Sequence, residues 1–168
     1  MIILGIDPGS TRIGYGVIRA DRSLTAITYG VIEIDRKKIA ETAHGSGNVL
    51  AALLEKASQE LRTIIETHHP DKIGIEKLFF TKNVKTGIEV AQARGALINE
   101  VAHFGLPIEE FTPSEIKRAV TGYGNADKKG VASMTAKLLG LSSIKGYDDA
   151  SDALAVAIAA SQKRSWDA

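Results

Sequence analysis

Cysteine is absent from the sequence, and with it go disulfides, thiolate zinc sites, iron–sulfur clusters and cysteine nucleophiles. No apolar run approaches the roughly 20 residues of a membrane-spanning helix. The opening Met1-Ile2-Ile3-Leu4-Gly5 carries no basic leader, so a cytoplasmic protein without membrane contact is expected. Neither sign of charge is in excess: Lys and Arg total 21, Asp and Glu total 20, and the net charge is +1. The chain as a whole therefore shows no overall attraction to nucleic acid. Repeats and low-complexity tracts are missing, as is the G-x-x-x-x-G-K-S/T phosphate loop. The histidines, His44, His68, His69 and His103, have no metal-ligand spacing.

What is present is a globular balance, 44% hydrophobic and 24% charged over 168 residues. That length predicts one domain over residues 1–162 and a short frayed tail over 163–168. A chain of this size buries roughly 70% of its unfolded surface and needs no metal or disulfide to fold. Ile2 to Ile6 reads as a buried strand ended by Asp7-Pro8-Gly9, and Ile13 to Arg19 and Leu24 to Ile34 read as two more, an antiparallel meander. The polar stretch Asp35 to Asn48 reads as a loop with no strong structure of its own. Leu50, Leu53, Leu54, Ala57, Leu61, Ile64 and Ile65 then recur at helical spacing within Val49 to His69, closed by Pro70. Ile73 to Glu76 and Pro107 to Phe111 are further strands, separated by a helix over Val84 to Phe104. Thr112-Pro113-Ser114-Glu115 opens a short capped helix, and Asp127 to Gly140 and Asp148 to Ser161 are two more. A meander followed by helix–strand crossovers predicts an α/β domain with a mixed sheet, which binds ligands at its strand ends.

The acids at those ends are therefore the candidates for chemistry. Asp7 follows one apolar strand; alone, it could simply form the turn before Pro-Gly. Glu76 ends another such strand, where a carboxylate is costly to desolvate unless a cation compensates it; the adjacent Lys77 points to the opposite face. In Asp148-Asp149-Ala150-Ser151-Asp152 both Asp148 and Asp149 share a helical face with Asp152, so spacing does not choose between them. If Asp7, Glu76, Asp152 and an acid from that pair converge, they require cations to stay ionised together. Hard oxygen ligands without His or Cys suit Mg²⁺ or Mn²⁺, and a pair of such ions suits phosphodiester displacement.

Gly5-Ile6-Asp7-Pro8-Gly9-Ser10-Thr11 with Gly14-Tyr15-Gly16 resembles the opening motif of the RuvC family, the bacterial crossover-junction endodeoxyribonucleases. Ile75-Glu76-Lys77-Leu78-Phe79, Gln92-Ala93-Arg94-Gly95, Thr112 to Lys117 with Val120 to Gly124, and Asp148 to Ala155 resemble its later motifs in order. The resemblance implies an RNase H-like fold, with a five-stranded mixed sheet and helices on both faces. It implies a homodimer that nicks four-way (Holliday) DNA junctions symmetrically, leaving 5′-phosphates. It also implies two Mg²⁺ per subunit, with Mn²⁺ as a substitute, and a branch-migration complex of RuvA and RuvB proteins. The family's catalytic and metal-binding acids fall on Asp7, Glu76, Asp149 and Asp152, which selects Asp149 over Asp148. A base-stacking aromatic falls on Phe79, and basic DNA contacts fall on Lys117 and Lys128. Departures are Ala91 and Ser151, where Gly and Ala are common, Gly130 in place of a longer polar residue, and a long 35–48 segment.

Local charge supports a nucleic-acid surface better than the total does. Pro113 to Lys145 carries six basic residues against two acidic ones, and Lys77 to Arg94 carries four against one; both flank the acids in sequence. Two other functions are weighed. One is a junction-binding module without cleavage; the other is an actin-like or sugar-kinase ATPase, whose first phosphate loop Gly5 to Thr11 also resembles. The ATPase reading requires a duplicated domain and a second loop that this sequence does not display.

Overall fold

A computed structural model of the chain describes residues 1–43, 45–78 and 84–163. Its first strand, β1 (Ile2–Asp7), alternates: Leu4 and Ile6 enter one core, while Ile3 enters the other, as the period of two requires. β2 (Arg12–Ala20) and β3 (Leu24–Glu33) pair antiparallel beside it, with a register shift at Val17/Ile18. β4 (Lys72–Glu76) and β5 (Ile108–Phe111) join in parallel on the other side, giving the order β3-β2-β1-β4-β5.

One face of this sheet packs Leu4, Ile6, Val17, Ile73 and Ile75 against Leu53, Leu61 and Ile65 of α2 (Ser46–His68) and Leu97 and Val101 of α3 (Val84–His103). The opposite face packs Ile3, Ile18 and Phe111 against α6 (Asp148–Gln162), α4 (Pro113–Thr121) and α5 (Lys128–Leu138). The expected five-stranded mixed sheet with helices on both faces is thus the observed one. The capping box read from Thr112 and Glu115 is present: each side chain accepts from the other's backbone N–H, at 3.2 and 2.7 Å.

The reading of residues 35–48 as a loop is corrected. Asp35 accepts from the N–H groups of Lys37 and Lys38 and caps a short helix, α1 (Arg36–Thr42), and α2 begins at Ser46, three positions before Val49. α1 buries no residue, so it has no apolar stripe for periodicity to find. Capping, an ion pair from Arg36 to Glu89 of α3, 3.1 Å, and the partial packing of Ile39 against the core hold it.

α6 governs the geometry of the site. Its residues from Ala153 to Ala160 are all buried, and its backbone lies directly on the sheet. A methyl group at Gly5 of β1 would stand 2.1 Å from the Ala153 carbonyl oxygen, and one at Gly14 of β2 would stand 2.0 Å from that of Asp149. Only glycine permits this approach.

Candidate active site

Parallel register places Gly5 beside Gly74 and Ile6 beside Ile75. The next residues, Asp7 and Glu76, accordingly end adjacent strands on the face that α6 covers. Gly14 is the register partner of Asp7, and the first turn of α6 rests on Gly14 through Asp149. The helix start is thereby brought over the end of β1. Asp152, one turn further along, interacts electrostatically with both Asp7 and Glu76.

Crowding of these carboxyls has a clear signature. Burial, then the charges of Glu76 and Asp152, a hydrogen bond with Glu76 and the charge of Asp149 push Asp7 up to about 8. Burial also raises Glu76, and Asp152 adds to this, while the hydrogen bond with Asp7 and the charges of Lys128 and Lys117 oppose it. Asp152 is raised by burial against the opposing pull of Lys128. Acids that raise one another in this way are arranged to receive positive charge.

Some of that charge comes from the chain. Lys128 Nζ lies 3.1 Å from Asp152 Oδ2 and 3.4 Å from Asp148 Oδ2. Burial alone would lower the pKa of Lys128, but its bonds to these two carboxylates leave it raised. Lys117 and Lys128 line a cavity of about 230 Å³ together with Glu76, Asp152, Pro113 and Ile116. The two lysines and two of the acids therefore share one cleft. Asp148 has a side chain 80% exposed, against 28% for Asp149 and 32% for Asp152, a difference that helical spacing could not reveal. The cations that act on Glu76 are Lys128 and Lys117. Phe79 lies outside the described residues.

Two arginines add to the site. Arg94 of α3 donates from Nε to the Glu76 carbonyl oxygen at 3.1 Å and pairs with Glu110, which steadies the end of β4. Arg12 at the start of β2 approaches Asp149 Oδ2 to 3.6 Å. No sequence pattern predicts either contact, because each joins elements distant in the chain.

An oxygen-only set of mutually repelling carboxylates fits a hard divalent cation. Among the described residues no three acidic or histidine side chains are drawn around a single point; Asp149 and Asp152 instead face Arg12 and Lys128.

The mixed sheet, the helices on both faces and the acids where α6 meets the strand ends define an RNase H-like domain with a carboxylate cleft. The chain belongs to the RuvC family: the family model described as Crossover junction endodeoxyribonuclease RuvC matches residues 3–160. It is 44% identical over 158 residues to the Crossover junction endodeoxyribonuclease RuvC of Clostridioides difficile, covering 94% of this chain and 88% of that one. It is 40% identical over 171 residues to that of Brevibacillus brevis, covering 99% and 95%. Its fold matches the Thermus thermophilus RuvC structure with a TM-score of 0.80 at 24% identity, covering 95% and 92% of the two chains. It matches T. thermophilus RuvC in complex with Holliday junction substrate at 0.78 and 22% identity, with the same coverage. Nucleases of this family depend on a divalent metal. No described helix is long and apolar enough to cross a membrane.

Proposed function

We propose that this protein is a structure-selective endonuclease that resolves four-way (Holliday) DNA junctions by paired symmetric nicks, in recombination and repair. The observation that carries the reading is the family match over residues 3–160. The crowded acids of that segment give the match a chemical basis.

In this reading Asp7, Glu76, Asp149 and Asp152 hold Mg²⁺, two per subunit, with Mn²⁺ as a substitute. When bound, the metal supplies Lewis-acid polarisation for hydrolysis to a 5′-phosphate and a 3′-hydroxyl. The chain's own residues do the remaining work. Asp7 and Glu76 share a hydrogen bond and must release its proton before both can serve as anionic ligands. Lys117 and Lys128, on the wall beside Glu76 and Asp152, counter the charge that grows on the scissile phosphate. Arg94 and the α6 contact at Gly14 keep the strand ends from drifting. Phe79, two residues beyond Lys77, stacks on a base of the junction. A single nuclease domain over residues 1–162 with a tail over 163–168 supplies one such site. Two nicks in two strands therefore call for a homodimer, acting in the cytoplasm beside a branch-migration complex of RuvA and RuvB proteins.

The test is a nicking assay on a synthetic four-way junction with mapped cuts. Asp7→Asn should lose at least about a hundredfold in rate, on the scale of removing an electrostatic stabiliser from a site, while still binding the junction. Undiminished nicking by Asp7→Asn would end the assignment. A wild-type protein that binds junctions but cuts none in Mg²⁺ or Mn²⁺ would instead identify a binding paralogue without cleavage.

A further inference from the structure

Arg12 falls between the two halves of the first motif, Gly5 to Thr11 and Gly14 to Gly16, yet the structure builds a mount for it. Its guanidinium lies over the ring of Tyr147 at 4.8 Å, a cation–π distance. Tyr147 is the N-cap residue of α6, and its hydroxyl is engaged by the carboxylate of Glu33. Glu33 is in turn the register partner of Arg12 across β2 and β3. Arg12, Tyr147 and Glu33 are thus neighbours at one edge of the sheet, and the guanidinium has an aromatic partner besides Asp149. Its approach to Asp149, 3.6 Å from Nε to Oδ2, is an ion pair too long for a hydrogen bond. Asp149 is therefore balanced in charge while its oxygens are only loosely held.

We propose that Arg12 is a resident counter-charge for Asp149. It offsets the repulsion among the acids and competes with a divalent cation for that carboxylate, and so sets the cation concentration at which the site fills. The proposal rests on the reading that Asp149 is a metal ligand. Two opposing effects follow from removing Arg12. A carboxylate freed to turn would bind a cation less well, by a few-fold at most given its small side-chain entropy. Losing a unit positive charge beside a carboxylate that would hold a dication favours binding, by up to about tenfold for charges several ångströms apart at the dielectric of water. The second effect is larger, so the net change is towards tighter binding.

The experiment is a Mn²⁺ titration of the full chain without DNA, followed by electron paramagnetic resonance. Arg12→Gln should bind Mn²⁺ about three- to tenfold more tightly than wild type, and Arg12→Lys, which keeps the charge, should stay within about twofold of it. Tyr147→Leu, which removes the ring beneath the guanidinium, should shift affinity in the same direction by a smaller factor. Equal or weaker Mn²⁺ binding by Arg12→Gln would overturn the proposal. Asp149→Asn separates the two levels of inference. If it binds Mn²⁺ as wild type does, the metal-ligand reading of Asp149 fails and the role of Arg12 falls with it. If it binds weakly while Arg12→Gln is unchanged, only the counter-charge role fails.

Discussion

Asp7 connects the site to the stability of the fold. Burial and its acidic neighbours push its pKa up to about 8, well above the ordinary aspartate value of 3.8. Below about pH 4 the carboxyl is protonated in both folded and unfolded chains, and its stabilising contribution is fully present. Between about pH 4 and 8 the folded state keeps a proton that the unfolded chain has released. Stability therefore falls as pH rises, by at most about 1.4 kcal/mol per pH unit for this group. Thermal unfolding in EDTA should show the melting temperature declining from pH 5 to pH 8. Asp7→Asn should flatten that decline and unfold at a higher temperature than wild type at pH 8; an unchanged slope would contradict the crowding of the carboxyl. The candidacy of Asp7 and Glu76 was legible because each ends an apolar strand, where an acid needs a reason. The choice between Asp148 and Asp149 was not legible from spacing, because exposure separates them and exposure depends on what packs against α6. Arg12 was hidden for a related reason: its partners, Glu33, Tyr147 and Asp149, are brought together only by tertiary structure.

Among the elements, α6 has the tightest constraints. With the Ala153 carbonyl oxygen 2.1 Å from where a methyl group at Gly5 would sit, the collision is with backbone, which cannot rotate away. Gly5→Ala should therefore destabilise the protein by about 3 kcal/mol, at the upper end of ordinary overpacking costs. Urea unfolding would measure this, and a loss below about 0.5 kcal/mol, the range of ordinary surface changes, would mean that α6 does not lie so close to β1. Strong local signals made most elements readable: apolar runs for the strands, helical spacing of leucines for α2, and Thr112 with Glu115 for the start of α4. α1 escaped because only Ile39 packs against the core, and partly, and its one local signal, the Asp35 cap, is equally a mark of turns.

For the whole molecule, the distribution of charge matters more than the near-neutral total. Lys117 and Lys128 stand beside the acids while the net charge remains +1, so under the proposed function attraction to DNA is expected beside the cleft rather than over the whole surface. Junction affinity measured across a salt series should fall with a slope set by a small number of phosphate contacts. Lys117→Ala should reduce that slope by about one, and an unchanged slope would place Lys117 away from phosphate. The α/β class and its mixed sheet were legible from the order of elements. The meeting of the two ends of the sequence in one cleft was legible only through family resemblance, because no local pattern records which strand a distant helix will cover.

The seating of α6 on β1 also orders events during synthesis. Asp7 lies on the first strand and Asp149 and Asp152 on the last helix. At about 5–20 residues per second the two parts of the site are made on the order of ten seconds apart. A nascent chain that has completed its sheet but not yet α6 still lacks two of the four candidate acids. Cleavage competence should therefore arrive with the final helix, so that ribosome-bound chains shorter than α6 present a sheet but no nuclease.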